Sequence, residues 1–252
     1  MLTFERHQAI LARLNEVKVV KLSELVDVTG ASESTIRRDL TDLEQQNKIK
    51  RVHGGASLVT RRKDEPSLLE KSTKYAEEKQ RIAKEAARLV RDGDTIYIDA
   101  GSTTQAMIPF LRDKDIIVVT NGLNIITDLV DANLKTYVLG GYVKTGTRAF
   151  VGAGALQSIQ SYQFDIAFLG TNGVDEEVGF STPDPEEALI KQHAIHRSTQ
   201  TYVLADHTKL GDVTFSKVAD LHEAALITSE KANHDMIEQL EKQTTVKVVA
   251  GS

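Results

Sequence analysis

The chain has 252 residues, 40% of them apolar and 27% charged, with four Pro and sixteen Gly. That composition excludes disordered and collagen-like chains and predicts two unequal folded domains. The lack of Cys excludes disulfide frameworks, thiolate zinc sites, iron-sulfur clusters and cysteine nucleophiles, and fits a cytosolic protein. Net charge divides unevenly: residues 1–63 hold twelve Lys and Arg against eight Asp and Glu, for +4, and the remainder sums to -9 within a total of -5.

From the start, Glu5, Arg6, His7 and Arg13 interrupt the first fourteen residues, and no later apolar run approaches the roughly 18 residues of a membrane span, so no targeting or anchoring segment is expected. His7, Ile10, Leu11 and Leu14 fall at i, i+3, i+4 and i+7, which predicts a short helix with one apolar face. Val19 and Val20 read as a short strand, followed by a helix N-capped by Ser23 and ended by Gly30. Ser32 caps a third helix whose Ile36, Leu40 and Leu43 turn inward, leaving Ser34, Thr35, Arg37 and Arg38 to reach phosphates and base edges. Ile49 to Leu58 alternates, is basic, and has Gly54-Gly55 at its tip, predicting a two-stranded wing. Between Gln45 and Lys63 stand six cations (Lys48, Lys50, Arg51, Arg61, Arg62, Lys63) and no acid. Clustered cations are an electrostatic footprint for DNA, because neutralising phosphates releases condensed counterions. The plainer reading is a solvated linker behind a small helical dimerisation module.

Spacing separates these readings. Arg6, Ile10 and Leu14 at intervals of four, then Ser32-x-x-Thr35-Ile36-Arg37-Arg38-Asp39-Leu40 and Lys50-Arg51-Val52-His53-Gly54-Gly55-Ala56, resemble the DNA-binding signature of the DeoR family of bacterial transcription regulators over about fifty residues. The resemblance implies a winged helix-turn-helix in which Ser34, Thr35, Arg37 and Arg38 read the major groove of double-stranded operator DNA while Lys50, Arg51 and His53 hold the backbone. His53 is equally readable as a neutral packing residue of the wing. The run through Leu43-Glu44-Gln45-Gln46 looks most like fructose-operon repressors, which implies fructose 1-phosphate as effector.

Leu58 to Pro66 is basic and patternless, giving expected boundaries of 1–57 for the DNA-binding domain, 58–74 for a linker and 75–252 for an effector domain. A helix follows Tyr75, carrying Ile82, Ala83, Ala86, Leu89 and Val90 and halted by Asp92-Gly93-Asp94. Seven short β-like runs then alternate with helical segments: Thr95 to Ile98, Ile116 to Thr120, Thr136 to Leu139, Asp165 to Leu169, Thr201 to Leu204, Ala224 to Thr228 and Thr245 to Val249. Alternation of this kind predicts an α/β domain with a mostly parallel sheet, whose ligand lies beyond the strands' carboxyl ends.

Four of those ends carry small polar sequences that read as acceptor-poor: Asp99-Ala100-Gly101-Ser102-Thr103-Thr104, Thr120-Asn121-Gly122, Gly140-Gly141 and Gly170-Thr171-Asn172-Gly173. Gly permits close backbone approach, and hydroxyls with free amides suit an anion. Tight turns explain any one of them, but four together point to a phosphorylated ligand. Neither a P-loop nor a G-x-G-x-x-G segment is present, which disfavours nucleotides. These loops, with Phe180-Ser181-Thr182-Pro183 and Asp206-His207-Thr208-Lys209, resemble the DeoR effector domain, which looks like the ribose-5-phosphate isomerase and CoA-transferase group of folds. The resemblance implies a phosphorylated sugar held by Asp99, Gly101, Ser102, Thr103, Thr104, Asn121, Gly141, Lys191, Asp206 and Lys209, with no cofactor.

Alternatives stand beside three of these features. Lys191 lies four residues after Glu187 and also reads as half of an exposed helix pair. Pro109 falls inside the helix expected after the Asp99 loop and should kink or shorten it. His193 and His196 supply two metal ligands at best and read as ordinary helix surface. Function is expected to be a sugar-responsive repressor acting as a dimer or tetramer on paired half-sites. The rival is a sugar-phosphate isomerase with Asp99 or Asp206 as base, which leaves the base-reading helix without a use.

Overall fold

The computed structural model describes residues 2–17, 19–45, 48–52, 54–58 and 67–251. They form two compact units that divide in sequence after Asp64.

The first unit runs α1 (Thr3–Val17), β1 (Val19–Lys21), α2 (Leu22–Thr29), α3 (Glu33–Gln45), β2 (Ile49–Val52) and β3 (Gly55–Leu58). Ile10, Leu14, Leu25, Ile36, Leu40 and Leu43 close a single apolar core, each almost fully buried. Asp39 lies in the same interior at 2% exposure. It accepts a fork from Arg6, Nε to Oδ2 at 2.7 Å and Nη2 to Oδ1 at 3.0 Å, which fixes α3 against α1. The wing is a three-stranded antiparallel sheet in the order β1-β3-β2, because Val19 to Lys21 pair with Ser57 to Gly55. Gly55 is required there: a Cβ would stand 2.1 Å from the Val20 carbonyl oxygen. Ser23 does not cap α2. The helix begins two residues earlier, with Lys21 as its cap and no side-chain cap bond, and the Leu22 amide donates to the Gly54 carbonyl at 2.8 Å. A strand leading straight into a helix leaves no place for a hydroxyl cap, and the wing supplies the acceptor instead.

The second unit opens with α4 (Leu68–Thr73) and α5 (Ala76–Ala87) and continues with β4 (Thr95–Ile98), α6 (Ser102–Gln105), β5 (Ile117–Thr120), α7 (Ile126–Asp131) and β6 (Lys135–Val138). Next come β7 (Tyr142–Lys144), β8 (Ala149–Val151), α8 (Ala153–Ile159), β9 (Phe164–Gly170), β10 (Gly173–Asp175), β11 (Gly179–Thr182) and α9 (Pro185–His196). The chain ends with β12 (Ser198–Leu204), β13 (Ser216–Ala219), β14 (Ala225–Ser229), α10 (His234–Glu241) and β15 (Val246–Val249). Residues 68–73, read from sequence as linker, are thus the helix α4.

A seven-stranded sheet organises this unit, in the order β15-β14-β12-β9-β4-β5-β6 with every pair parallel. Its strands are the seven runs visible in the sequence. Alternate residues serve opposite faces: Ile96, Ile98, Ile166 and Phe168 pack with α5 and α7, while Tyr97, Ala167, Leu169 and Val203 pack with α8, α9 and α10. The antiparallel pieces β10-β11-β13 and β7-β8, with strands of three or four residues, are not among the runs read from the sequence. Pro109 shortens the segment after Asp99: α6 stops at Gln105, and Ile108–Phe110 form a 3-10 turn with Pro at its start.

From β4 the chain moves outward to β5 and β6, then returns to the far side of β4 to build β9, β12, β14 and β15. The β4/β9 gap is therefore a topological switch point, where the loops leaving two neighbouring strands part and open a crevice.

Tyr97 is fully buried, and its hydroxyl has no hydrogen-bond partner among the described residues. Burial pushes its phenol well above the usual value, helped by the charges of Asp99 and Glu187. Tyr97→Phe removes an unpaired polar group at almost constant volume and is expected to raise unfolding stability by about 1 kcal/mol. Urea titration checks it, the midpoint rising with unchanged slope.

Candidate functional site

The crevice at the switch point is built on a buried charge pair. Asp99 follows β4 directly and is 2% exposed, and Lys191, from the middle of α9, is 4% exposed. The Lys191 ammonium donates to Asp99 Oδ2, which also accepts from the Gly170 amide at 3.0 Å and so ties the ends of β4 and β9 together. Thr104 braces the same loop from behind, its hydroxyl donating to the carbonyls of Asp99 at 2.7 Å and Gly101 at 2.9 Å.

Helix α9 is aimed at the crevice by its first turn. Asp184 caps it, accepting from the amides of Glu186 at 2.8 Å and Glu187 at 3.1 Å, with Pro185 at the first helical position. Burial raises the Asp184 carboxyl, but Lys144 and the two capped amides outweigh it and hold the group below the usual carboxylate range. Glu187 is buried and accepts from Lys144 at 2.8 Å and the Thr147 hydroxyl at 2.7 Å. The exposed Glu187–Lys191 helix pair is therefore overturned: both residues are buried, and each has another partner.

Opposite Lys191 stands Lys79, which the sequence analysis did not select. Its ammonium, 5% exposed, donates to Ser102 Oγ at 3.1 Å and to the Lys71 carbonyl. Burial pulls its pKa below the ordinary lysine value; Asp206 and Glu78 oppose the shift, and the charges of Lys209 and Lys71 add to it. Neighbouring Glu78 is 1% exposed and accepts from the His207 amide at 2.8 Å and from Ser229 Oγ at 2.6 Å, anchoring α5 to the loops after β12 and β14. Asp206 caps the turn of residues 207–209 and accepts from the Thr208 amide at 3.1 Å. A signal for Lys79 was present: with Ile82, Ala83 and Ala86 it lies on the buried stripe of α5, where a charge demands a partner.

Of the residues selected from sequence, Asp99, Gly101, Ser102, Thr103, Lys191, Asp206 and Lys209 line this cleft. Thr104 does not, lying behind the loop. Asn121 and Gly141 are also outside it. The Asn121 side chain accepts from the Ala100 amide at 3.0 Å, and Gly141, at φ +130°, packs against Ala155 and the Val151 carbonyl. The cleft is not acceptor-poor either, since Glu187 lines it beside Asp99 and Asp206. His193, half-buried, meets the Leu189 carbonyl at 2.9 Å, and His196 is exposed.

In the first unit, Ser34, Arg37 and Arg38 are exposed on α3 and Thr35 is half-buried. The Ser32 hydroxyl accepts from the Thr35 amide at 3.3 Å and lies 3.0 Å from the Ser34 hydroxyl. Arg37 is held by Glu33, and Arg51 is exposed on the wing. For Lys50 only the backbone, in β2, is described, and His53 lies outside the described residues.

Comparison with known proteins agrees with both halves. Residues 6–62 match the DeoR-like helix-turn-helix domain, and residues 74–231 match the DeoR C terminal sensor domain. The chain belongs to the DeoR family. Among DeoR-type relatives it is similar to the HTH-type transcriptional regulator FruR of Bacillus subtilis, at 49% identity over 99% of each chain. It is also similar to the lactose phosphotransferase system repressor of Staphylococcus epidermidis, at 32% identity over 98% of this chain and 99% of the relative. Among solved structures it is similar to a ribose-5-phosphate isomerase in complex with phospho-erythronic acid, at 22% identity and TM-score 0.42, covering 54% of this chain and 55% of that one. A DeoR helix-turn-helix joined to a sensor domain makes a regulator and not an enzyme. No helix among the described residues is long and apolar enough to cross a membrane.

Lys191→Met leaves Asp99 buried without its counter-ion and is expected to cost about 3 kcal/mol of stability. The double variant Asp99→Asn, Lys191→Met should recover much of that loss; denaturant titration of all three proteins checks the coupling.

Proposed function

We propose that this DeoR-family protein represses a sugar-catabolic operon in the cytoplasm and that a phosphorylated sugar bound in the sensor cleft changes its grip on operator DNA. In this reading α3 enters the major groove, with Ser34, Thr35, Arg37 and Arg38 at the base edges and Lys50, Arg51 and His53 on the phosphates. The first unit, through Asp64, forms the reading head, and the second, which α4 opens, carries the sensor. A homodimer or tetramer presents two heads to paired half-sites.

One observation carries the ligand assignment: Lys71, Lys79 and Lys209 line one cleft together with Ser102, while Asp99, Asp206 and Glu187 line it too. Ammonium groups with a hydroxyl suit a phosphate, and carboxylates suit sugar hydroxyls as acceptors. In this reading Ser102, Thr103 and Gly101 hold the phosphate with the lysines, and Asp99, Lys191 and Asp206 border the sugar. Fructose 1-phosphate is the first candidate, because the N-terminal run resembles fructose-operon repressors and the chain is 49% identical to a regulator named FruR. Ligand control requires that the sugar bind the DNA-competent and DNA-released forms with different affinity.

Arg37→Ala is expected to weaken operator binding by roughly ten- to hundredfold while leaving sugar affinity unchanged. Ser102→Ala with Thr103→Ala should reverse that pattern, keeping DNA affinity and losing at least about tenfold in sugar affinity. Gel shift and calorimetry on both proteins check the pair, and exchanged effects would refute the division of labour.

A pH dependence follows from Lys79. Its ammonium is disfavoured in the empty cleft and favoured beside a phosphate, so binding takes up a proton where the free group is partly deprotonated. Affinity is expected to fall on the alkaline side, beginning below the ordinary lysine value, and to fall on the acid side below about pH 6 as the phosphate loses its second charge. Calorimetry in two buffers of different ionisation enthalpy at alkaline pH reads the uptake, and Lys79→Met should abolish it.

A further inference from the structure

Helix α4 stands where the chain enters the sensor unit. Of its residues, Leu68 is buried and borders the cleft, whereas Leu69 is 72% exposed and Glu70, Ser72 and Thr73 are exposed as well. Its shape is preformed. Ser67 accepts from the Glu70 amide at 3.3 Å, and the Glu70 carboxylate accepts in return from the Ser67 amide at 2.8 Å, closing a capping box. Polar contacts tie α4 to its surroundings: among the described residues the Leu68 amide donates to the Gly146 carbonyl at 3.1 Å, and the Lys71 carbonyl accepts from the Lys79 ammonium.

Those contacts set up an electrostatic conflict. The Lys79 ammonium holds α4 by a carbonyl, yet the side chain of that same residue, Lys71, lines the cleft with its own positive charge. Lys209 lines it too, and the charges of both lysines disfavour the ammonium of Lys79. Asp206 and Glu78 oppose this effect, and a phosphate set among the ammonium groups would add to their attraction.

We propose that α4 is a strap closed by phosphate: a dianion bound among Lys71, Lys79 and Ser102 turns the repulsion between the two lysines into shared attraction and clamps the helix onto the cleft. This inference rests on the cleft being a phosphosugar site. In this proposal the energy source is differential contact, with Lys71, which lines the cleft from α4, adding its charge to the anion when the helix is seated. The position gives the closure a regulatory meaning. The first unit ends in sequence at Asp64, so α4 is the first helix of the sensor unit after it.

Hydrogen exchange on the full chain tests the strap, with three additions whose binding calorimetry measures in parallel: fructose 1-phosphate, inorganic phosphate and fructose. Amides of Leu69 to Thr73 are expected to slow about tenfold or more with fructose 1-phosphate, to slow with saturating inorganic phosphate, and to stay unchanged with fructose, while amides of α10 stay unchanged throughout. Saturation of the cleft with α4 exchanging as fast as before, or faster, would overturn the strap and leave the cleft assignment standing. Failure of both phosphates to bind would overturn the cleft assignment and the strap with it. Glu70→Ala supplies a second measurement, since Glu70 touches neither cleft nor DNA in this reading. Its expected signature is unchanged operator affinity without sugar, sugar phosphate binding weakened several-fold, and faster α4 exchange in the bound state. Undiminished affinity for the sugar phosphate in that variant would count against closure.

Discussion

The ion pair of Asp99 and Lys191 governs the sensor unit. Both groups are nearly free of water, and a lone buried charge costs several kcal/mol, so each is tolerable only because the other is there. The pair sits where the parallel sheet reverses its direction of growth, and the Gly170 amide adds the end of β9 to it. Three elements distant in sequence are locked by one carboxylate. The switch point therefore keeps polar groups where an ordinary core would pack shut, and that polarity is what a sugar phosphate would use.

Around this pair the unit gathers further buried ions, each with a named partner. Glu78 holds the loops after β12 and β14, Glu187 holds Lys144 and Thr147, and Lys79 holds Ser102 and α4. Replaced by apolar side chains of matched volume, such a network need not be less stable. Its value lies in fixing hydrogen-bonding groups at set positions around the cleft. The first unit uses the same device on a smaller scale, since buried Asp39 takes the Arg6 fork and presents Ser34, Arg37 and Arg38 outward on a rigid helix.

Charge asymmetry links the units. Residues 1–63, of net +4, draw phosphates, while the remainder, of net -9, has no general attraction for DNA, so contact is directed to the first unit. Inside the acidic unit the cleft is a local exception, where Lys71, Lys79, Lys191 and Lys209 gather beside Asp99, Glu187 and Asp206.

What the sequence by itself determined was periodic or contiguous: apolar residues at helical spacing in α1 and α3, alternating runs that became all seven parallel strands, and strand-end loops containing Asp99, Ser102 and Asp206. Each reports a local regularity, and buried parallel strands write theirs into four or five adjacent residues. Only the tertiary structure decided partners. Lys191 meets Asp99 from 92 residues away and Glu78 meets Ser229 from 151, separations with no trace in local spacing, so Lys191, selected for the site, also read as half of an exposed helix pair, and Glu78 went unread. Asn121 and Gly141 follow strands just as Asp99 does, yet they lie outside the cleft because β5 and β6 are beyond the switch point. Which strand ends face one another depends on strand order, and strand order is a property of the folded sheet.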